Sequence, residues 1–343
     1  MSDLDVLRAK RRKDAVRAPF PYFGGKSGVA DLVWRAFGDD CKQYIEPFCG
    51  SAAMLLAAPR VTSLEVVSDV NRYIANFWRC IKYQPDATAR EADYPVSHVD
   101  LDARHRWLTQ PDRIALLDAH LADPEWPGDP RVAGWWVWGQ CAWIGSGWCE
   151  RPSKIPHAGN AGRGVQSQIP HASNAGQGVQ SQIPHASDAG QGAFIREWFV
   201  RLSARLERVR VQHGDWTRCL NHHYGGDRTA IFFDPPYLSF EKLYAREGHT
   251  PVAFAVAEWA AARPELRIAV CGHAGDYDAA LVGWRMVRWD RGRHTYGGNK
   301  TTANEAIYFS PACRDVSQSA PVLALATATA ATPVPREQLP LAL

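Results

Sequence analysis

The chain has 343 residues, 46% apolar and 22% charged, with 39 Lys+Arg set against 36 Asp+Glu for a net charge of +3. That balance is ordinary for a folded chain and excludes the collagen-like, coiled-coil and wholly disordered classes. Because the total is near neutral, an argument for a nucleic-acid partner has to come from local residues.

Residues 1–18 form a polar arm carrying Arg8, Lys10, Arg11, Arg12, Lys13 and Arg17, which suits either solvent or phosphate contact. The first residues lack a basic-then-apolar leader, and no apolar run reaches membrane-spanning length, so the expected compartment is the cytoplasm, without a membrane partner. Eight cysteines stand mostly beside apolar residues and none forms a C-x-x-C pair. Buried thiols are therefore expected in place of a disulfide framework or a metal site.

Short apolar, β-branched runs follow at Gln43–Phe48, Leu64–Val70, Val209–His213, Thr229–Phe233, Leu266–Cys271, Trp284–Trp289 and Ala306–Phe309. Helical patterns lie between several of them, at Phe194–Glu207 and Pro251–Ala262 among others. Seven strands with intervening helices predict an open α/β sheet. The second and third strands are separated by about 140 residues, far more than an ordinary connection, so a subdomain is expected between them.

Within that gap, Trp135, Trp136, Trp138, Trp143 and Trp148 crowd together, as core or as contact surface. A segment beginning Ile155-Pro156-His157-Ala158 returns at Ile169 and again at Ile183, a 14-residue period over 155–192. It is too short and too glycine-rich for a solenoid and reads as an extended inserted loop. Arg151, Lys154 and Arg163 bracket its start, as phosphate contacts or as solvated loop charge. Residues 314–343, rich in Ala, Pro and Thr, read as a disordered tail.

The sharpest chemical signal is Asp234-Pro235-Pro236-Tyr237, directly after the apolar run Ile231-Phe232-Phe233. Pro-Pro ends a strand in any case. It also fixes the backbone, so that the Asp234 carboxylate and the Pro235 carbonyl can each accept one N–H of the same exocyclic amine. Tyr237 would then stack on the flat ring bearing that amine, which requires a base rotated out of its duplex at a cost of a few kcal/mol.

A partner site is expected earlier in the chain. Glu46-Pro47-Phe48-Cys49-Gly50-Ser51-Ala52 is a strand end and small-residue turn, where α/β sheets bind nucleosides. Asp69, 19 residues after Gly50, closes the next strand and can accept ribose hydroxyls. A full G-x-G-x-x-G is absent, which favours a nucleoside without phosphates, such as S-adenosylmethionine, over a dinucleotide.

In motif order these segments resemble the Dam-like family of DNA adenine N6-methyltransferases, over three stretches near 19–80, 207–240 and 264–313. Phe20-Pro21-Tyr22-Phe23-Gly24-Gly25-Lys26 is similar to the family's aromatic-Gly-Gly-Lys segment, which implies that Tyr22 and Lys26 touch the cofactor. Glu46, Phe48 and Gly50 match its glycine turn, and Asp69 its ribose-binding acid. Gly214-Asp215-Trp216 resembles the step in which Asp215 accepts from the cofactor's adenine and Trp216 stacks on it. Asp234, Pro235, Pro236 and Tyr237 match the family's catalytic tetrad, which implies that Asp234 also borders the cofactor. Ala52 stands where the family has a second glycine, and the middle region departs from the GATC-reading members.

The resemblance implies a Rossmann-like, seven-stranded methyltransferase sheet. Its catalytic domain would be split over 19–84 and 201–313, with a mainly helical or irregular target-recognition insertion at 85–200. It further implies S-adenosylmethionine as cofactor, no metal, double-stranded DNA as partner and a monomeric state. A cognate restriction endonuclease and a phage or mobile-element origin fit the same family. The same tetrad also suits cytosine N4, an RNA adenine or a protein glutamine amide. An inactive DNA-binding relic would be expected to show a broken tetrad or a missing ribose acid, and a dehydrogenase would need the absent pyrophosphate turn.

Overall fold

The computed structural model describes residues 16–20, 26–143, 148–149, 192–220, 226, 228–237, 251–289 and 304–316. The basic residues Arg8 to Lys13, the tandem repeat with its flanking Arg151, Lys154 and Arg163, and the tail from 317 lie outside that set.

All seven expected strands form: β1 Gln43–Glu46, β2 Leu64–Asp69, β3 Val209–His213, β4 Thr229–Phe233, β5 Arg267–His273, β6 Arg285–Arg288 and β7 Glu305–Phe309. They build one sheet in the order β3-β2-β1-β4-β5-β7-β6. The first five are parallel to one another, and β7 runs antiparallel to both β5 and β6. This mixed α/β sheet is Rossmann-like, and its strand order reverses between β1 and β4.

β4 is buried at every position. Ala230 and Phe232 enter one core while Ile231 and Phe233 enter the other, which is why a parallel strand covered on both faces reads as a continuous apolar run. β1 stops at Glu46, two residues earlier than expected, because Pro47 has no N–H to continue the ladder. β5 overshoots the expected end by two residues, since Gly272 and His273 pair with Ala306 and Glu305 of β7.

Helices α1 Ala30–Phe37, α2 Ala53–Leu56, α3 Arg72–Tyr83 and α8 Gly192–Leu206 belong to one side of the sheet, and α9 Val252–Ala261 covers the other. Asn71 starts α3, its side chain accepting the Tyr73 N–H at 3.0 Å. Ile74, Phe77, Trp78 and Ile81 then make a buried stripe at helical spacing.

Between α3 and α8 lie α4 Pro85–Ala92, α5 His98–Leu108, α6 Pro111–Leu121 and α7 Pro130–Ala142. α4 and α7 pack on each other and on α3, and α4 also meets α8, so the sheet-side core continues into this helical layer. Trp136, Trp138 and Trp148 are buried there, with Trp135 and Trp143 packed at the margin. Gly139 of α7 lies flat under the Trp148 ring, in space that a side chain would take. Arg79 of α3 donates to the carbonyls of Leu121, Asp123, Trp126 and Val211, tying α6, its exit loop and β3 together. All eight cysteines are free thiols, seven of them buried. Among the described residues no helix is long and apolar enough to cross a membrane.

Candidate active site

In an open α/β sheet, ligands bind beyond the carboxyl ends of the strands where the order reverses. Here that place is the tips of β1 and β4, flanked by β2.

The turn after β1 is fixed from several sides. Gly50 and Ala52 adopt left-handed backbone (φ 45° and 50°), which glycine tolerates and alanine does only at a cost. The Cys49 N–H donates to the Ser68 carbonyl at 3.0 Å, and Trp78 Nε1 donates to the Gly50 carbonyl at 2.8 Å. Asp69 at the end of β2 accepts the Gly50 N–H on Oδ2 (2.9 Å) and the Asn71 N–H on Oδ1 (2.8 Å). Each carboxylate oxygen can accept a second bond. Burial raises the Asp69 carboxyl to about 6 against the pull of these amides. Val70, next in the chain, is 69% exposed on the lip beside it.

Glu46 faces inward from the tip of β1. Its Oε2 accepts the Tyr44 hydroxyl at 3.0 Å and the Leu55 N–H at 3.1 Å. Burial pushes its carboxyl up to about 8; those two bonds oppose the shift, and the negative charge of Asp234 adds to it. Glu46 thus anchors the first turn of α2 from below the site.

Asp234 leaves β4 beside Lys26. The ammonium sits 2.8 Å from Oδ1 and 2.9 Å from Oδ2 and is itself almost fully buried. Burial alone would lower the Lys26 pKa, but Asp234, with smaller contributions from Cys271 and Glu305, holds it above the ordinary value. Lys26 also lies 5.2 Å from the centroid of the Tyr237 ring. Pro235 is buried and Pro236 exposed, so the prolines turn the chain out of the sheet with Tyr237 half-buried at the mouth.

After β3, the Gly214 N–H donates to the Asp69 carbonyl at 3.1 Å, placing Asp215 and Trp216 next to the β2 tip. Asp215 is exposed and caps the 3-10 turn Trp216–Cys219, accepting the Thr217 N–H at 2.9 Å. Trp216 is mostly buried, near-parallel to Phe48 with ring centroids 6.5 Å apart and edge-on to Phe233 and Trp259.

The structure therefore brings Lys26, Glu46, Phe48, Gly50, Asp69, Asp215, Trp216 and the tetrad Asp234–Tyr237 to adjoining strand tips, while Tyr22 lies outside the described residues. Lys26, expected at the cofactor, has its ammonium on Asp234. Sequence reasoning missed Val70, His273 and Glu305. His273 ends β5 and meets the Tyr237 ring edge-to-face at 4.8 Å. Its signal was available: a polar residue directly after an apolar strand of such a sheet stands at the ligand-binding end.

Residues 22–101 match the model of the D12 class N6 adenine-specific DNA methyltransferase family. No curated protein matches the chain. The matched segment contains Lys26, the Gly50 turn and Asp69, and its strands β1 and β2 are built into the same sheet that carries Asp234 on β4. Over this segment, which carries Lys26, the turn after β1 and Asp69, the chain is similar to the D12 class N6 adenine-specific DNA methyltransferases.

Proposed function

We propose that the protein transfers the methyl group of S-adenosylmethionine to N6 of an adenine turned out of duplex DNA, at the joined tips of β1, β2 and β4. The observation that carries this reading is the buried Lys26–Asp234 pair at 2.8 Å, which aims a fixed carboxylate at the switch point of the sheet.

The donor's binding residues suit a nucleoside without phosphates. Asp69 accepts the amides of Gly50, Asn71 and Val70 and has acceptor capacity left for a ribose hydroxyl, and a buried acid with no basic side chain against it among the described residues would repel a pyrophosphate. Phe48 and Trp216 offer aromatic faces, Asp215 an exposed acceptor, and Val70 an apolar lip. When bound, S-adenosylmethionine supplies an electrophilic methyl on a sulfonium.

The chain's own residues do the rest. Asp234 accepts one N–H of the adenine amine and the Pro235 carbonyl the other, which turns the nitrogen lone pair out of conjugation with the ring. As the amine gains positive charge, the preorganised carboxylate stabilises it, the kind of contribution worth about 2.7–4 kcal/mol per acceptor. Lys26 holds both carboxylate oxygens in place while leaving each a further acceptor site. Tyr237 stacks on the extruded base, repaying part of its unstacking. We read the helices within 85–200 and the inserted repeat as the part that meets the DNA around the target.

The test is incubation of unmethylated duplex DNA with methyl-labelled S-adenosylmethionine, followed by digestion to nucleosides. Label in N6-methyladenine is the expected result. Label in N4-methylcytosine, or none in DNA under conditions where the donor binds, overturns the reading.

A further inference from the structure

His273 is the last residue of β5, one strand over from Asp234, and it is held at three points. Its N–H donates to Asp276 Oδ2 at 2.8 Å, and the same carboxylate oxygen lies 3.5 Å from its ring Nδ1. Its carbonyl is 3.2 Å from the Tyr308 hydroxyl, which also accepts the Gly275 N–H at 2.8 Å and lies 3.1 Å from Asp278 Oδ1. Across the sheet it pairs in register with Glu305 of β7. The backbone is thus fixed by groups that take no part in the tetrad, and the ring lies beside the Asp276 carboxylate.

The ring so placed meets Tyr237. Their centroids are 4.8 Å apart with planes at 78°, the edge-to-face arrangement that aromatic quadrupoles favour. Such a contact restricts the plane of the tyrosine ring, and a base stacks on a ring already held in one plane with less loss of freedom. Lys26, 5.2 Å from the same ring, adds a second constraint. Tyr237 follows two prolines that carry the chain away from the sheet, so its orientation depends on neighbours such as these rather than on a strand ladder.

We propose that His273 is a positioning residue for methyl transfer: its ring sets the plane of Tyr237 so that the extruded adenine arrives with its amine at Asp234. The proposal rests on the reading of Asp234–Tyr237 given above. His273 acts through Tyr237 and touches neither the base nor the donor. Its removal should therefore lower turnover and leave donor binding intact, because small misplacements of a reacting group cost rate steeply.

The experiment compares His273→Asn, His273→Ala and His273→Phe with wild type in labelled methyl transfer to unmethylated plasmid DNA, alongside the Kd for S-adenosylmethionine. Asn keeps most of the volume and a donor for Asp276 but has no ring, so the protein is expected to fold. The expected result is a fall in kcat of about tenfold or more for Asn and Ala, a donor Kd within about twofold, and recovery to within about threefold in Phe, which restores the ring. Wild-type kcat in His273→Asn, or a Phe variant as impaired as Asn, overturns the proposal. Asp234→Ala is run in parallel. If it is inactive beside an active His273→Asn, the positioning role alone falls; if it is fully active, the reading of the tetrad falls first.

Discussion

The strand tips and the helical layer α3–α8 are held together by opposite means. At the tips, a few polar groups are tied by directed bonds: the Gly50 and Asn71 amides on Asp69, the Tyr44 hydroxyl and Leu55 amide on Glu46, and Lys26 on Asp234. In the helical layer rings meet rings: Phe20 and Phe77 touch each other and both Trp78 and Trp136, and Arg104 lies over Tyr94 and Trp138. The first kind of order depends on which residue stands at one position, the second on volume shared among many. Substitutions of the half-exposed groups at the tips should therefore alter chemistry and binding more than stability, and those in the helical layer the reverse, while the buried Glu46 joins the two.

The largest stability effect is expected in the helical layer. Trp138 is fully buried, its Nε1 donating to the Tyr94 carbonyl at 2.8 Å. Trp138→Ala should cost about 3–5 kcal/mol in denaturant unfolding through the cavity it leaves. The rate per folded molecule should be unchanged; a large drop in kcat would break the division between the two regions.

Glu46 tests the tips against that rule through pH. A carboxyl raised from 4.5 to about 8 in the folded protein stabilises it fully below pH 4.5, and that contribution is lost as the pH rises toward 8. Glu46→Gln resembles the protonated form and should remove this loss. Urea midpoints at acidic and mildly alkaline pH should accordingly differ less in the variant than in wild type, by a few kcal/mol in the derived stabilities. An unchanged slope would mean that Glu46 does not titrate in this range.

Asp69 should act on binding. Asp69→Asn removes the charge from a pair of acceptors and should weaken the donor by about 1.5–3 kcal/mol, read as Kd. In wild type, with the carboxyl near 6, donor affinity should fall as the pH drops below that value, because a protonated oxygen no longer accepts on both sides. An affinity flat from pH 5 to 7 would contradict this placement of the ribose. The smallest effect belongs to Ala52, whose left-handed backbone costs an alanine more than a glycine. Ala52→Gly should raise stability by no more than about 1 kcal/mol, the relief of strain being offset by the freer unfolded chain.

The same contrast explains what could be read from sequence. The strands were legible because β4 and its neighbours are buried on both faces and appear as unbroken apolar runs. The Asp234–Tyr237 segment stood out because two prolines directly after an apolar strand end it abruptly and leave a carboxylate at its tip. The Lys26–Asp234 pair joins residues 208 apart, and no local pattern announces such a contact. His273 had the signal of a polar residue at a strand's carboxyl end, but the expected end of β5 fell at Cys271, two residues before the antiparallel pairing with β7 ends. The helical layer left the weakest trace. α7 buries residues on several sides, Val132, Ala133, Gly134 and Trp136 to Gly139, so its apolar positions form no single stripe.

On the proposed reading, methyl transfer depends on Asp234 holding the adenine amine. The most direct measurement is the single-turnover rate of methyl transfer to duplex DNA by Asp234→Ala, taken together with its Kd for S-adenosylmethionine. The account predicts a rate lower by about 100- to 1,000-fold with donor affinity little changed. A rate within a few fold of wild type would contradict it.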